Sequence, residues 1–77
     1  MTKAEFLKKI EMNIMAEEGT LSGSETLADL DGWDSLAVMS TLALLDKLFG
    51  VRIAAEKIYQ CRTVDDVAAL AGGKLAD

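Results

Sequence analysis

At 77 residues the chain has room for one domain, close to the lower limit for a self-sufficient hydrophobic core. Its 51% apolar content is enough for that core; the lone cysteine, Cys61, excludes an internal disulfide, and a sequence without histidine argues against a zinc site. A net charge of −5 disfavours nucleic acid and anionic lipid as partners and favours basic protein surfaces, although acidic residues also simply keep a small apolar protein soluble.

The first element spans about Thr2 to Met15. Thr2 and Glu5 have capping-box spacing, and Phe6, Leu7, Ile10 and Ile14 form one apolar stripe. The start of the chain mixes charged and apolar residues and lacks the apolar run of a signal peptide. A long connection, about Ala16 to Asp34, follows. Leu27 and Leu30 are expected to pin it to the core, with a short helical turn at Glu25–Asp29.

The second helix is expected over Ser35–Phe49, capped by Asp34 or Ser35 and stopped by Gly50. Val38, Leu42, Leu45 and Phe49 step by four, three and four and define its core face. Leu36, Met39 and Ala43 lie on roughly the opposite side, so either another element or a partner covers them. The uncharged run Leu36–Leu45 is too short to cross a bilayer.

Val51 and Ile53 read as a brief extended link, and Ala55–Tyr59 as a short helix with Ile58 facing inward. A last helix starts at Thr63, carries Asp65 and Asp66 in its first turn, and ends at Gly72 and Gly73. The tail from about residue 73 is expected to fray. The expected fold is all-α: a small bundle of three main helices plus one short helix, with a long first loop.

Charge is unevenly placed. No basic residue lies between Lys9 and Lys47, while Glu11, Glu17, Glu18, Glu25, Asp29, Asp31, Asp34 and Asp46 fall within that interval. One end of the domain is therefore expected to carry a negative field. An EF-hand does not account for the acids. Counted from Asp29, glycine falls at the fourth place instead of the sixth, and the twelfth place is Ser40 instead of glutamate.

An acidic residue and a serine, Asp34-Ser35, stand at the mouth of the second helix. Helix capping alone explains such a pair. The same position also suits a phosphate esterified to Ser35, because a helix start offers free N–H groups and partial positive charge. No histidine or lysine lies nearby in sequence to activate Ser35 as a nucleophile in its own right.

The segment Leu30–Ala37, L-D-G-W-D-S-L-A, resembles the attachment motif of the acyl and peptidyl carrier protein family, with Asp34-Ser35-Leu36 as the shared core. Phe6, the long loop, L-F-G-V-R-I at Leu48–Ile53, Glu56-Lys57-Ile58 and Thr63-Val64 agree in order and spacing, so the resemblance covers about Glu5 to Leu70. It implies a non-catalytic carrier whose Ser35 receives 4′-phosphopantetheine from coenzyme A, installed by a phosphopantetheinyl transferase. It further implies that Asp34 assists the transferase's metal and that the second helix is the docking surface. Leu36, Met39 and Ala43 would then meet acyl- or aminoacyl-handling enzymes with basic surfaces, rimmed by Asp29 and Asp31. A monomeric cytoplasmic protein fits this picture, with no metal of its own and no nucleic-acid or membrane partner.

The chain departs from fatty-acid carriers, which it otherwise resembles, along the second helix. Ala37, Ser40, Thr41 and Lys47 stand where several carboxylates are usual, which tells against general fatty-acid service, and Trp33 just before Asp34-Ser35-Leu36, with Ala37 after, resembles the carriers of specialised biosynthetic pathways. The alternative is an unmodified helical interaction module that uses the Leu36, Met39 and Ala43 strip. Cys61 sits beside Arg62, where a cation lowers a thiol pKa, but it also reads as a small filler residue.

Overall fold

The structure is a computed structural model and describes residues 1–76. Its elements are α1 (Lys3–Asn13), a 3-10 turn (Leu27–Asp29), α2 (Ser35–Phe49), α3 (Ala55–Tyr59) and α4 (Val64–Ala69). The fold is all-α. Among the described residues β-pairing is limited to two isolated bridges, Thr2 with Ala76 and Thr26 with Thr63.

Local chemistry sets the ends of α1. The Glu5 N–H donates to Thr2 Oγ1 at 3.1 Å, and Glu5 Oε1 accepts the Thr2 N–H at 3.0 Å, so two otherwise orphaned donors are satisfied reciprocally. The Thr2 N–H, joined by the Thr2 hydroxyl, holds the Glu5 carboxyl below its usual pKa. α1 stops before Met15, which adopts a left-handed conformation (φ 59°) and turns the chain into the loop.

The core joins all the helices. Phe6, Ile10, Leu45, Ile58, Val64 and Val67 are fully buried, and the rings of Phe6 and Phe49 lie 5.9 Å apart in a tilted pair. α2 has the bounds expected from the sequence, but its buried face is rotated. Ala37, Val38, Thr41 and Leu45 are buried, whereas Leu42 and Phe49 are only half-buried. Ala37 and Thr41, read from sequence as surface positions, therefore belong to the interior. Both are small, so α2 can press closely against its neighbours along that line. The Thr41 hydroxyl finds no hydrogen-bond partner there.

The loop between α1 and α2 is tied down at several points. Glu11, counted from sequence among the surface acids, is buried. Its carboxylate accepts the Gly19 N–H at 3.1 Å and the Leu21 N–H at 2.8 Å. Glu25 accepts the Ser22 and Gly23 N–H groups, each at 2.8 Å, and these bonds pull its pKa down to about 2. Farther along, the loop runs beside the segment that opens α4. The Leu27 N–H donates to Arg62 O at 2.8 Å, and the Val64 N–H donates to Glu25 O at 3.1 Å. Leu21 and Leu27 fill the core beneath. Leu30 packs against that core from a half-buried position.

α4 is shorter than its apolar pattern predicts. Thr63 is its cap, not its first residue, and forms a second capping box with Asp66. Within the described residues the tail is hydrogen-bonded to the start of the chain and to the end of α2. The Lys3 N–H donates to Ala76 O at 2.7 Å, the Ala76 N–H donates to Met1 O at 3.0 Å, and Lys74 Nζ donates to Phe49 O at 2.8 Å. The last of these places a cation at the negative end of α2. Asp77, the end of the tail expected to fray, lies outside the described residues.

Candidate functional site

The site is built at the junction of the long loop with α2. Gly32 makes the turn, with φ 85°, a conformation that favours glycine. Space demands glycine too, since a Cβ at this position would lie 2.5 Å from the Ile14 carbonyl oxygen. The loop therefore closes directly onto the end of α1. Trp33 follows, half-buried against the core, and Asp34 enters α2 in an extended conformation.

Asp34 is the cap of α2. Its Oδ1 accepts the Ala37 N–H at 2.9 Å, and its carbonyl accepts the Val38 N–H at 3.0 Å. Ser35, the first residue of the helix, is exposed and is relieved of the capping role. Its hydroxyl stands at the positive end of a 15-residue helix, open to a large partner. A covalent arm on Ser35 would project into solvent without displacing any core side chain.

The acidic residues around it are spread out. Asp29, Asp31 and Asp34 are all exposed, and no group of three metal-ligating side chains forms among the described residues. Asp29, Leu30, Asp31 and Gly32 instead line an open cleft of about 440 Å³ together with Ile14, Met15, Ala16, Glu17 and Thr20. Along α2, Leu36 is 73% and Met39 61% exposed, and Ala43 is exposed beside them. No described element covers this strip. Ser40 is half-buried at its margin and Lys47 is exposed farther along.

Cys61 lies apart from this junction. Its Sγ donates to Lys57 O at 3.3 Å, and burial together with nearby Asp66 raises the thiol pKa. Neighbouring Arg62 does not activate it.

Two contributors escape a reading by residue type. Gly32 is a tight turn whose need for glycine comes from the end of α1, eighteen positions upstream, and Glu11 is an internal tie for the loop. Glu11 did leave a signal: it falls four residues after Leu7 and three before Ile14, on the buried stripe.

The geometry is that of an exposed serine at a capped helix start, with an uncovered apolar strip along the same helix. Comparison with family models finds a match to the phosphopantetheine attachment site over residues 11–71, most of the chain. The chain belongs to this family. No curated protein and no solved structure matches it. As a family member it is a carrier without catalytic activity of its own, and its prosthetic group is covalently attached 4′-phosphopantetheine. The residues present fit that group, because the matched region contains the exposed serine whose hydroxyl the helix does not use as its cap. A carrier of this kind meets a phosphopantetheinyl transferase and biosynthetic enzymes. No helix among the described residues is long and apolar enough to cross a membrane.

Proposed function

We propose that Ser35 is the attachment residue and that the chain is an acyl or aminoacyl carrier of a specialised biosynthetic pathway in the cytoplasm. The observation that carries this reading is Ser35 itself, exposed at the start of α2 inside the matched region, with Asp34 taking the cap. When bound, the arm supplies a thiol that holds cargo as a thioester and keeps it at high effective concentration near partner sites.

The protein's own residues do the remaining work. Gly32 and the Asp34 cap hold Ser35 at the end of a rigid helix. The Asp34 carboxylate, with one oxygen on the Ala37 N–H, keeps its other oxygen for the transferase's metal. Leu36, Met39 and Ala43 form the docking strip, and Asp29 and Asp31 form an acidic rim facing basic partner surfaces. Sparse acids on the outer face of α2 separate this strip from that of fatty-acid carriers and favour a specialised partner set.

The test is intact mass. The chain is incubated with coenzyme A and a promiscuous phosphopantetheinyl transferase. A gain of one phosphopantetheine, bringing one titratable thiol beyond Cys61, supports the reading. An unchanged mass on a folded chain rejects it.

A further inference from the structure

The charge of this chain is divided between two regions. Residues 10–45 hold seven carboxylates and no cation. Residues 46–62 hold Lys47, Arg52, Lys57 and Arg62 against the two carboxylates of Asp46 and Glu56. This basic segment borders an open groove of about 440 Å³, with Val51, Ile53, Ala54 and Leu70 as its apolar floor and Arg52 and Lys57 at its edges. Val51, Ile53 and Leu70 pack against the core from half-buried positions.

The edge cations are available. The Arg52 side chain is 88% exposed, and its contact with Asp46, at 3.6 Å, is long. Lys57 is exposed on α3. The groove begins just past the C-terminal end of α2, whereas Ser35 is the first residue of that helix. The 15 residues of α2 separate the two places by about 21 Å.

We propose that this groove docks an acidic protein segment, with an apolar side chain on the floor and flanking carboxylates on Arg52 and Lys57. The charge pattern selects such an occupant. The Ser35 end has an acidic rim and this end a basic one, so a segment that fits the groove is repelled from the strip beside Ser35. The openness of the groove favours a peptide over a lipid, because an acyl tail laid there would remain largely in water. One partner therefore holds the chain by this groove while another works at Ser35.

The probe is an end-blocked peptide of glutamates interleaved with leucines, titrated into the ¹⁵N-labelled full chain, with a lysine-for-glutamate peptide and decanoate as controls. Amide shifts are expected at residues 51–57 and at Leu70, and the Kd should weaken about tenfold in the double variant Arg52→Glu, Lys57→Glu and rise with added salt. Shifts centred on Leu36–Ala43, equal binding of the lysine peptide, an unaffected double variant, or no binding at all would overturn the proposal. Tighter binding of decanoate at the same residues would overturn the choice of a protein segment. Both charge changes lie far from Ser35, so the double variant still gains the phosphopantetheine mass. Failure of the groove is thereby distinguished from failure of the carrier reading.

Discussion

The Asp34 carboxylate accepts the Ala37 N–H at 2.9 Å, so the residue before the candidate attachment serine, and not the serine itself, closes the first turn of α2. The cap of α2 thus rests on Asp34 and leaves the Ser35 hydroxyl out of it. Asp34→Ala is expected to cost about 0.5–2 kcal/mol, with Asp34→Asn close to neutral because asparagine caps as well. Ser35→Ala should stay within about 0.5 kcal/mol of the parent chain. Urea denaturation of the three variants checks this, and equal losses at positions 34 and 35 would mean that both side chains share the cap.

The rotation of α2 gives a second set of expectations. Leu45 is fully buried, so Leu45→Ala should cost about 2–5 kcal/mol, while Met39→Ala, on the exposed strip, should stay within about 0.5 kcal/mol. Thr41→Val should stabilise by about 1 kcal/mol, because it removes a buried hydroxyl without a partner. Melting curves of the three proteins read the orientation directly. A destabilised Thr41→Val would reveal a hydrogen bond at that hydroxyl.

Glu11 tests how the loop is held. Glu11→Ala strands the Gly19 and Leu21 N–H groups and should cost about 1.5–3 kcal/mol, the range for hydrogen bonds to a charged group. Glu11→Gln keeps one carbonyl acceptor and should fall between the two. Hydrogen exchange at Gly19 and Leu21 should accelerate in Glu11→Ala well before global unfolding. Exchange unchanged at both amides would show that the tie does not hold the loop.

Acid should loosen the same loop. The Glu25 pKa is lowered from the ordinary 4.5 to about 2 by the Ser22 and Gly23 N–H groups. A depressed carboxylate contributes stability that is present above the unfolded value and is lost as pH falls through the folded one. The loss therefore runs from about pH 4.5 down to about 2, and Glu5 and Asp66, also lowered by cap hydrogen bonds, act in the same direction. Glu25→Gln should flatten the pH dependence of stability in that window. An unaltered slope would place the acid sensitivity elsewhere.

Much of this architecture was legible because it is local. Asp34 and Gly50 mark the ends of α2, and Thr2 with Glu5 marks the start of α1, each through chemistry contained within a few residues. What the sequence did not reveal depends on residues distant in the chain. The face of α2 is set by what packs on it, so a small Ala37 and a polar Thr41 could not be recognised as interior positions. The pairing of the long loop with residues 62–65, the contact of the tail with Met1 and Lys3, and the closeness of Gly32 to Ile14 are contacts between segments that no local pattern encodes. At the candidate site, Asp34-Ser35 could be singled out from the motif, but which of the two caps α2 required geometry.

The central claim is that Ser35 alone receives the arm, and intact-mass spectrometry of the parent chain beside Ser35→Ala tests it most directly. Both are incubated with coenzyme A and a promiscuous phosphopantetheinyl transferase, and helical circular dichroism confirms that the variant is folded. The expected result is one phosphopantetheine added to the parent chain and none to Ser35→Ala. A folded Ser35→Ala that still gains the mass would contradict the account.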